Sequence, residues 1–324
     1  MTFSKKLYYL IPIITLIIGA FLGDYLHSHQ ISIFSETRQH GQYKFINPLL
    51  ECESSNFSEN VALEPLRNKI TNLVDQLKKD QQITFASVYY RDLNNGPWIG
   101  IHEKENFSPA SLIKVPLMIT YFKAAENDPK LLSQTIVATP AATEKQFVVP
   151  SLTLTPNQKY TIEELINRMI IYSDNQAYEL LNNFIDNRLL VKTFSDLGVD
   201  ISQGFTDPAG NILSVKSYAT FFRILFNASY LDKDMSEKAL SLLSQVKYQD
   251  GIVRGINNSE VIVSHKFGER TYEATGEKQL HDCGIVYLPQ KPYLICIMTR
   301  GNDFSKLSSS ITQISQLIFQ SVNH

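Results

Sequence analysis

Cysteine is scarce: the 324 residues hold only Cys52, Cys283 and Cys296, with no CxxC pair, which excludes a disulfide framework and a cysteine-clipped metal centre. A surplus of one charge is missing too. The 30 Lys and Arg stand against 32 Asp and Glu, a net charge of -2, so no global field draws the chain to a polyanion and nucleic acid is not an expected partner. The 16 Tyr and 18 Phe lack the interleaved basic residues that base stacking would require, and no internal repeat is visible. What the chain has is apolar material: at 44% AVILMFWYC it can fill a large core, which excludes a disordered chain. Its length suits one large domain or two modest ones. Cys283 and Cys296 flank the turn Pro289-Gln290-Lys291-Pro292, where they either face each other across a hairpin or lie as buried thiols.

One long hydrophobic run is present. Lys5 and Lys6 precede Leu7 to Leu22, interrupted only by Pro12, Thr15 and Gly19. A span needs roughly 17–25 residues, so 1–26 reads as an N-terminal membrane anchor or signal segment. A basic flank held inside carries the rest out of the cytoplasm, and no small-x-small site follows, which favours an uncleaved anchor over a secreted form. Residues 27–60 read as a stem with a short ordered patch at Tyr43 to Leu50, and a folded domain is expected over 61–324.

Within that domain Leu66, Ile70, Leu73, Val74 and Leu77 recur at helical spacing. Ile83 to Arg91 and Pro97 to His102 read as strands around a turn, a helical middle follows, and strands return at Glu260 to Phe267, Asp282 to Tyr287 and Tyr293 to Thr299. Leu307 to Val322 closes the chain as a helix. The expectation is an α+β domain whose first and last thirds share one antiparallel sheet.

Three places carry chemistry. In Phe107-Ser108-Pro109-Ala110-Ser111-Leu112-Ile113-Lys114, Ser108 suits a helix cap and Pro109 the first helical position, which sets Ser111 in a first turn with unpaired N–H groups. Lys114, three residues on, shares its face. A hydroxyl is a poor nucleophile without a base, and a lysine drawn into a core can serve as one. Next, Thr161 and Glu164 form a capping-box pattern; that helix breaks at Tyr172-Ser173-Asp174-Asn175, placing Ser173 and Asn175 on a corner, unless Ser173 or Asp174 is only a cap. Last, Val263 to Glu269 is a β-rich run in which Lys266 stands two residues before Gly268.

Taken in order, Ser111-x-x-Lys114, Ser173-Asp174-Asn175 and Lys266-x-Gly268 resemble the penicillin-recognising active-site serine hydrolases, the class A β-lactamases and D,D-peptidases. The resemblance covers roughly 61–324. It implies that family's fold, an antiparallel sheet flanked by helices plus an all-helical lobe, with no cofactor or metal, and a bacterial source. It also implies roles: Ser111 the acylated nucleophile, Lys114 its base, Ser173 the hydroxyl that relays the proton, and Lys266 the cation beside it. Asn175 then binds the substrate amide, Phe267 and Gly268 stand at the carboxylate and backbone positions of the third motif, and the N–H groups of Ser111 and Glu269 form an oxyanion hole. Ser111 and Ser173 lie 62 positions apart, which suits the class A end of the family.

Two departures matter. Phe267 stands where the family has Thr or Ser and cannot donate a hydrogen bond, so His265 or Arg270 either takes over that contact or is a packing or surface residue. The stretch from Leu197 to Ser214, where class A enzymes carry a deacylating glutamate, contains no Glu; Asp207 is its only plausible carboxylate. The expected activity is therefore acyl transfer through Ser111 on a β-lactam. The alternatives are D,D-carboxypeptidase or transpeptidase action on peptidoglycan stem peptides, and non-catalytic ligand binding by a degenerate site.

Overall fold

Strand β11 (Tyr293–Gly301) explains the architecture: Leu294, Cys296 and Met298 alternate with Ile295 and Ile297, and all five are fully buried. A strand apolar on both faces must be covered on both. A computed structural model describes residues 19, 36–38, 43–52, 63–94, 96–139, 146–150, 152–199 and 210–323, and shows how. An antiparallel sheet runs in the order β4 (Trp98–Ile101), β3 (Phe85–Asp92), β11, β10 (Lys278–Val286), β9 (Val263–Thr271). First and last thirds of the domain do share one sheet, with strand ends a few residues from those expected.

One face is covered by α1 (Glu64–Lys79), through Leu66, Ile70, Val74 and Leu77, together with the closing helix Phe304–Asn323, through Leu307, Ile311, Ile314 and Ile318. The other face meets a helical lobe. Its elements are α2 (Lys114–Ala125), α3 (Ile162–Ile171), α4 (Asn175–Phe184), α5 (Asn187–Asp196), α6 (Val215–Phe226) and α7 (Lys233–Leu243). The capping box read from Thr161 and Glu164 is present, each satisfying the other's backbone N–H. Cys283 and Cys296 are register partners on β10 and β11 and form a disulfide, which settles the two readings of that pair.

The patch expected at Tyr43 to Leu50 is laid against this lobe. Phe45 and Ile46 are buried, Asn47 donates its N–H to Phe226 O at 2.8 Å, and the Glu237 carboxylate accepts the backbone N–H groups of Lys44, Phe45 and Ile46 at 2.8–3.1 Å. Removing that acceptor strands three donors. Glu237→Ala is expected to cost about 1–3 kcal/mol in denaturant unfolding. Apart from position 19, the expected anchor 1–26 lies outside the described residues, as does Asp207; among the described residues no helix is long and apolar enough to cross a membrane.

Candidate active site

The segment carrying Ser111 starts differently from the sequence expectation. Ser108 does not cap an α-helix: Ala110–Ile113 is a 3-10 turn with Pro109 at its N-cap, and α2 begins only at Lys114. The reason lies on β10. Gln279 Oε1 accepts the Ser108 N–H at 3.1 Å and His281 Nε2 donates to Ser108 O at 3.0 Å, so the backbone of Ser108 is already held by the sheet. Burial pushes His281 down to about 3, so the ring is neutral and its one N–H is the one directed at Ser108 O. Ala110 then takes φ +46°, a left-handed conformation costly for a residue with a Cβ, directly before Ser111.

The Ser173 corner resolves both of its readings. Asp174 is the cap of α4, accepting the N–H groups of Gln176 and Ala177 at 2.9 and 3.2 Å, and its other oxygen pairs with Arg168 at 2.8 Å. With that task taken, Ser173 is held at φ +56° and turned toward Lys114.

Lys114 is buried where the two segments meet. Its Nζ lies 2.6 Å from Ser173 O and 2.6 Å from Asn175 Oδ1, both pure acceptors, and 3.1 and 3.2 Å from the hydroxyl oxygens of Ser111 and Ser173. In a neutral amine the two carbonyl oxygens occupy both N–H groups, and the lone pair faces the hydroxyls. One buried amine is thus ringed by two carbonyl oxygens and two hydroxyls.

Lys266 completes the cluster from β9. It is fully buried, donates to Ser173 Oγ at 2.9 Å and Phe267 O at 3.0 Å, and sits 4.0 Å from the centre of the Phe267 ring. Burial, then the Lys114 charge, hold its pKa well below the lysine range. Phe267 packs on Tyr248 at 4.7 Å, so the position of the missing hydroxyl is filled by an apolar shelf under the ammonium.

His265 does not replace that hydroxyl. It is buried with Nδ1 2.8 Å from Asp282 Oδ1, and Asp282 in turn accepts the Ile252 N–H at 3.0 Å; this is a packed core pair. Arg270 is exposed, with its guanidinium 5.0 Å from the Tyr272 ring. Neither joins the hydrogen bonds of Ser111, Lys114, Ser173 and Lys266.

Gly268 brings strand and turn together. A Cβ there would lie 3.1 Å from Leu112 N and from Pro109 O, so the backbones that carry the Ser111 and Glu269 N–H groups adjoin only because this residue has no side chain. Gly268→Ala is expected to push the strand edge back by a few tenths of an ångström. Acylation of Ser111 should slow roughly 10-fold while the chain still unfolds as one cooperative unit, read by stopped-flow acylation beside a melting curve.

Three neighbours escaped the sequence reading. Tyr178, whose ring centre is 5.9 Å from Lys114 Nζ, sits one helical turn after Asn175 and was within reach of a spacing argument. Gln146, whose Nε2 donates to Ser173 O, and Phe147, whose N–H donates to Glu269 Oε1 at 2.9 Å, come from a stretch with no periodic signal.

A family model described as the beta-lactamase enzyme family matches residues 65–322. No curated protein matches the chain in sequence. Among solved structures, a β-lactamase from Sphaerobacter thermophilus is similar at 20% identity over 79% of this chain and 97% of its own, with a TM-score of 0.68. A class A β-lactamase from Mycobacterium abscessus is similar at 19% identity over 79% and 100%, TM-score 0.67. A mutant of PBP-A, seen as its acyl-enzyme complex with penicillin G, is similar at 20% over 80% and 97%, TM-score 0.66. At these identities the likeness establishes the fold.

Proposed function

The chain belongs to the beta-lactamase enzyme family, and from that membership we propose that Ser111 is its nucleophile, acylated by the carbonyl of a β-lactam. The observation that carries this is the Lys114 amine between two hydroxyls, 3.1 Å from Ser111 Oγ and 3.2 Å from Ser173 Oγ.

As Ser111 Oγ bonds to the carbonyl carbon, its proton passes to Lys114. The C–N bond of the lactam breaks, and the leaving nitrogen takes a proton from Ser173, which is resupplied from the lysine pair. Lys266 supports this by holding Ser173 Oγ and by placing a cation where negative charge gathers. The N–H groups of Ser111 and Glu269 receive the carbonyl oxygen, and Asn175 orients the acyl amide while fixing Lys114.

With no Glu between Leu197 and Ser214, no carboxylate of the usual kind activates the hydrolytic water, so the acyl-enzyme persists. That same absence, with Phe267, favours a second substrate reading, D,D-peptidase action on peptidoglycan stem peptides through the same acyl-serine. The place of action we propose is outside the cytoplasm, with the N-terminal run as anchor or signal; the Cys283–Cys296 disulfide supports an oxidising compartment.

Intact-protein mass after mixing with benzylpenicillin tests the reading. The expected result is a one-to-one adduct that lasts for minutes or longer and is absent in Ser111→Ala. Absence of any adduct and of any drug turnover in the native sequence overturns it.

A further inference from the structure

The residue before Ser111 carries a strain that its own turn does not explain. Ala110 sits at φ +46°, a conformation that glycine adopts freely and that a residue with a Cβ avoids. The 3-10 turn Ala110–Ile113 has no side-chain cap, and the Ser108 hydroxyl meets the Ala110 N–H only at 3.4 Å. The bond from Leu112 N–H to Pro109 O, at 2.8 Å, closes the turn, but turns of either hand make that bond, so it does not select the left-handed form.

The restraint comes from β10. Ser108 is buried, and side chains of that strand take both of its backbone groups: Gln279 Oε1 accepts the N–H at 3.1 Å and His281 Nε2 donates to the carbonyl at 3.0 Å. Residues two apart on a strand share a face, so the pair fixes the two peptide planes that flank the Ser108 Cα. The His281 ring is itself set edge-on against Phe107 at 5.3 Å, and Phe107 pairs with Leu213. On the far side of Ser111, Tyr218 Oη donates to Leu112 O at 2.9 Å. The carbonyls of Ser108 and Leu112 are thus both anchored, and the residues between must fit a fixed span. Pro109 is locked at φ -63° by its ring, so the bend that joins the two anchors falls on Ala110.

We propose that His281 is a positioning residue for acylation: its bond to Ser108 O keeps Ala110 left-handed and thereby aims Ser111 Oγ at Lys114. This rests on the reading of Ser111 as the acylated residue. Without the bond the Ser108 carbonyl rotates, Ala110 returns to negative φ, and Ser111 swings off its 3.1 Å contact with Lys114 Nζ.

His281→Phe keeps an aromatic ring beside Phe107 and deletes the donor. Acylation by benzylpenicillin is expected to slow about 10- to 100-fold, while His281→Gln, whose amide nitrogen can replace Nε2, stays within about threefold of native. The discriminating readout is Ala110→Gly. Glycine has no preference against positive φ, so adding it to His281→Phe is expected to recover most of the lost rate, whereas a turn that is merely loosened would slow further. Melting curves accompany each variant. If His281→Phe does not fold, Gln279→Leu removes the other half of the grip and is read in the same way, with and without Ala110→Gly. A native rate in the variant that folds, or no recovery on adding Ala110→Gly, overturns the assignment. A crystal structure of that variant reads the turn without chemistry. Negative φ at Ala110 upholds the grip even where the native chain forms no adduct, in which case the nucleophile reading is what fails; a retained positive φ overturns it.

Discussion

Lys114→Met is expected to slow acylation of Ser111 by benzylpenicillin about 10³-fold, within the 10²–10⁴ range of a lost general base, with Ser111→Ala showing no adduct at all. The magnitude follows from the contact set. Methionine is of similar size, so the loss isolates the amine: Ser111 Oγ loses its contact with Lys114, Ser173 Oγ is left with Lys266, and the acceptors Ser173 O and Asn175 Oδ1 each lose a donor. Ser173 O still accepts from Gln146 Nε2, but loss of the Lys114 donor loosens the corner that presents Ser173, which adds to the kinetic loss and lowers stability. Stopped-flow acylation with a melting curve separates the two parts. A Lys114→Met enzyme within tenfold of the native rate would remove Lys114 from the reaction.

Lys266→Met is expected to behave oppositely in stability. Acylation should fall about 10²-fold, as for removal of one preorganised electrostatic donor. Folding stability at neutral pH should stay level or rise, because a buried cation, held beside a second lysine, is replaced by an apolar side chain of similar size. The pH dependence carries the sign. Lys266 titrates below its ordinary 10.5 in the folded state, so between the depressed value and 10.5 the unfolded chain binds more protons than the folded chain. Stability therefore rises with pH through that window and is lost as pH falls through the folded-state value. In Lys266→Met that slope should vanish. Denaturant unfolding at several pH values from 6 to 10 measures it, and identical slopes in both proteins would show that Lys266 carries no such linkage.

The sheet and the main site motifs were legible because each depends on short spacings. The apolar run from Tyr293 to Thr299 reads as a strand, Thr161 and Glu164 mark a helix start, and an i, i+3 interval puts Ser111 and Lys114 on one side of a turn. Where long-range contacts decide, the spacing arguments gave out. Ser108 looked like a cap, but Gln279 and His281, more than 170 positions away, claim its backbone and the α-helix starts six residues later. His265 was open between substrate contact and packing, and only the neighbouring strand, which places Asp282 beside it, turns it into the core.

By itself, then, the sequence determined the α+β class, the near-zero net charge, the three motifs in order, and the two departures at Phe267 and in the stretch without Glu. Those are properties of residue type and local period. The tertiary structure alone decided that Lys114 and Lys266 share the Ser173 hydroxyl and that Cys283 bonds Cys296. It also decided that Glu269 meets a loop 122 positions away. Each of these joins segments distant in the chain, and their approach is set by how the two cores pack rather than by any local preference.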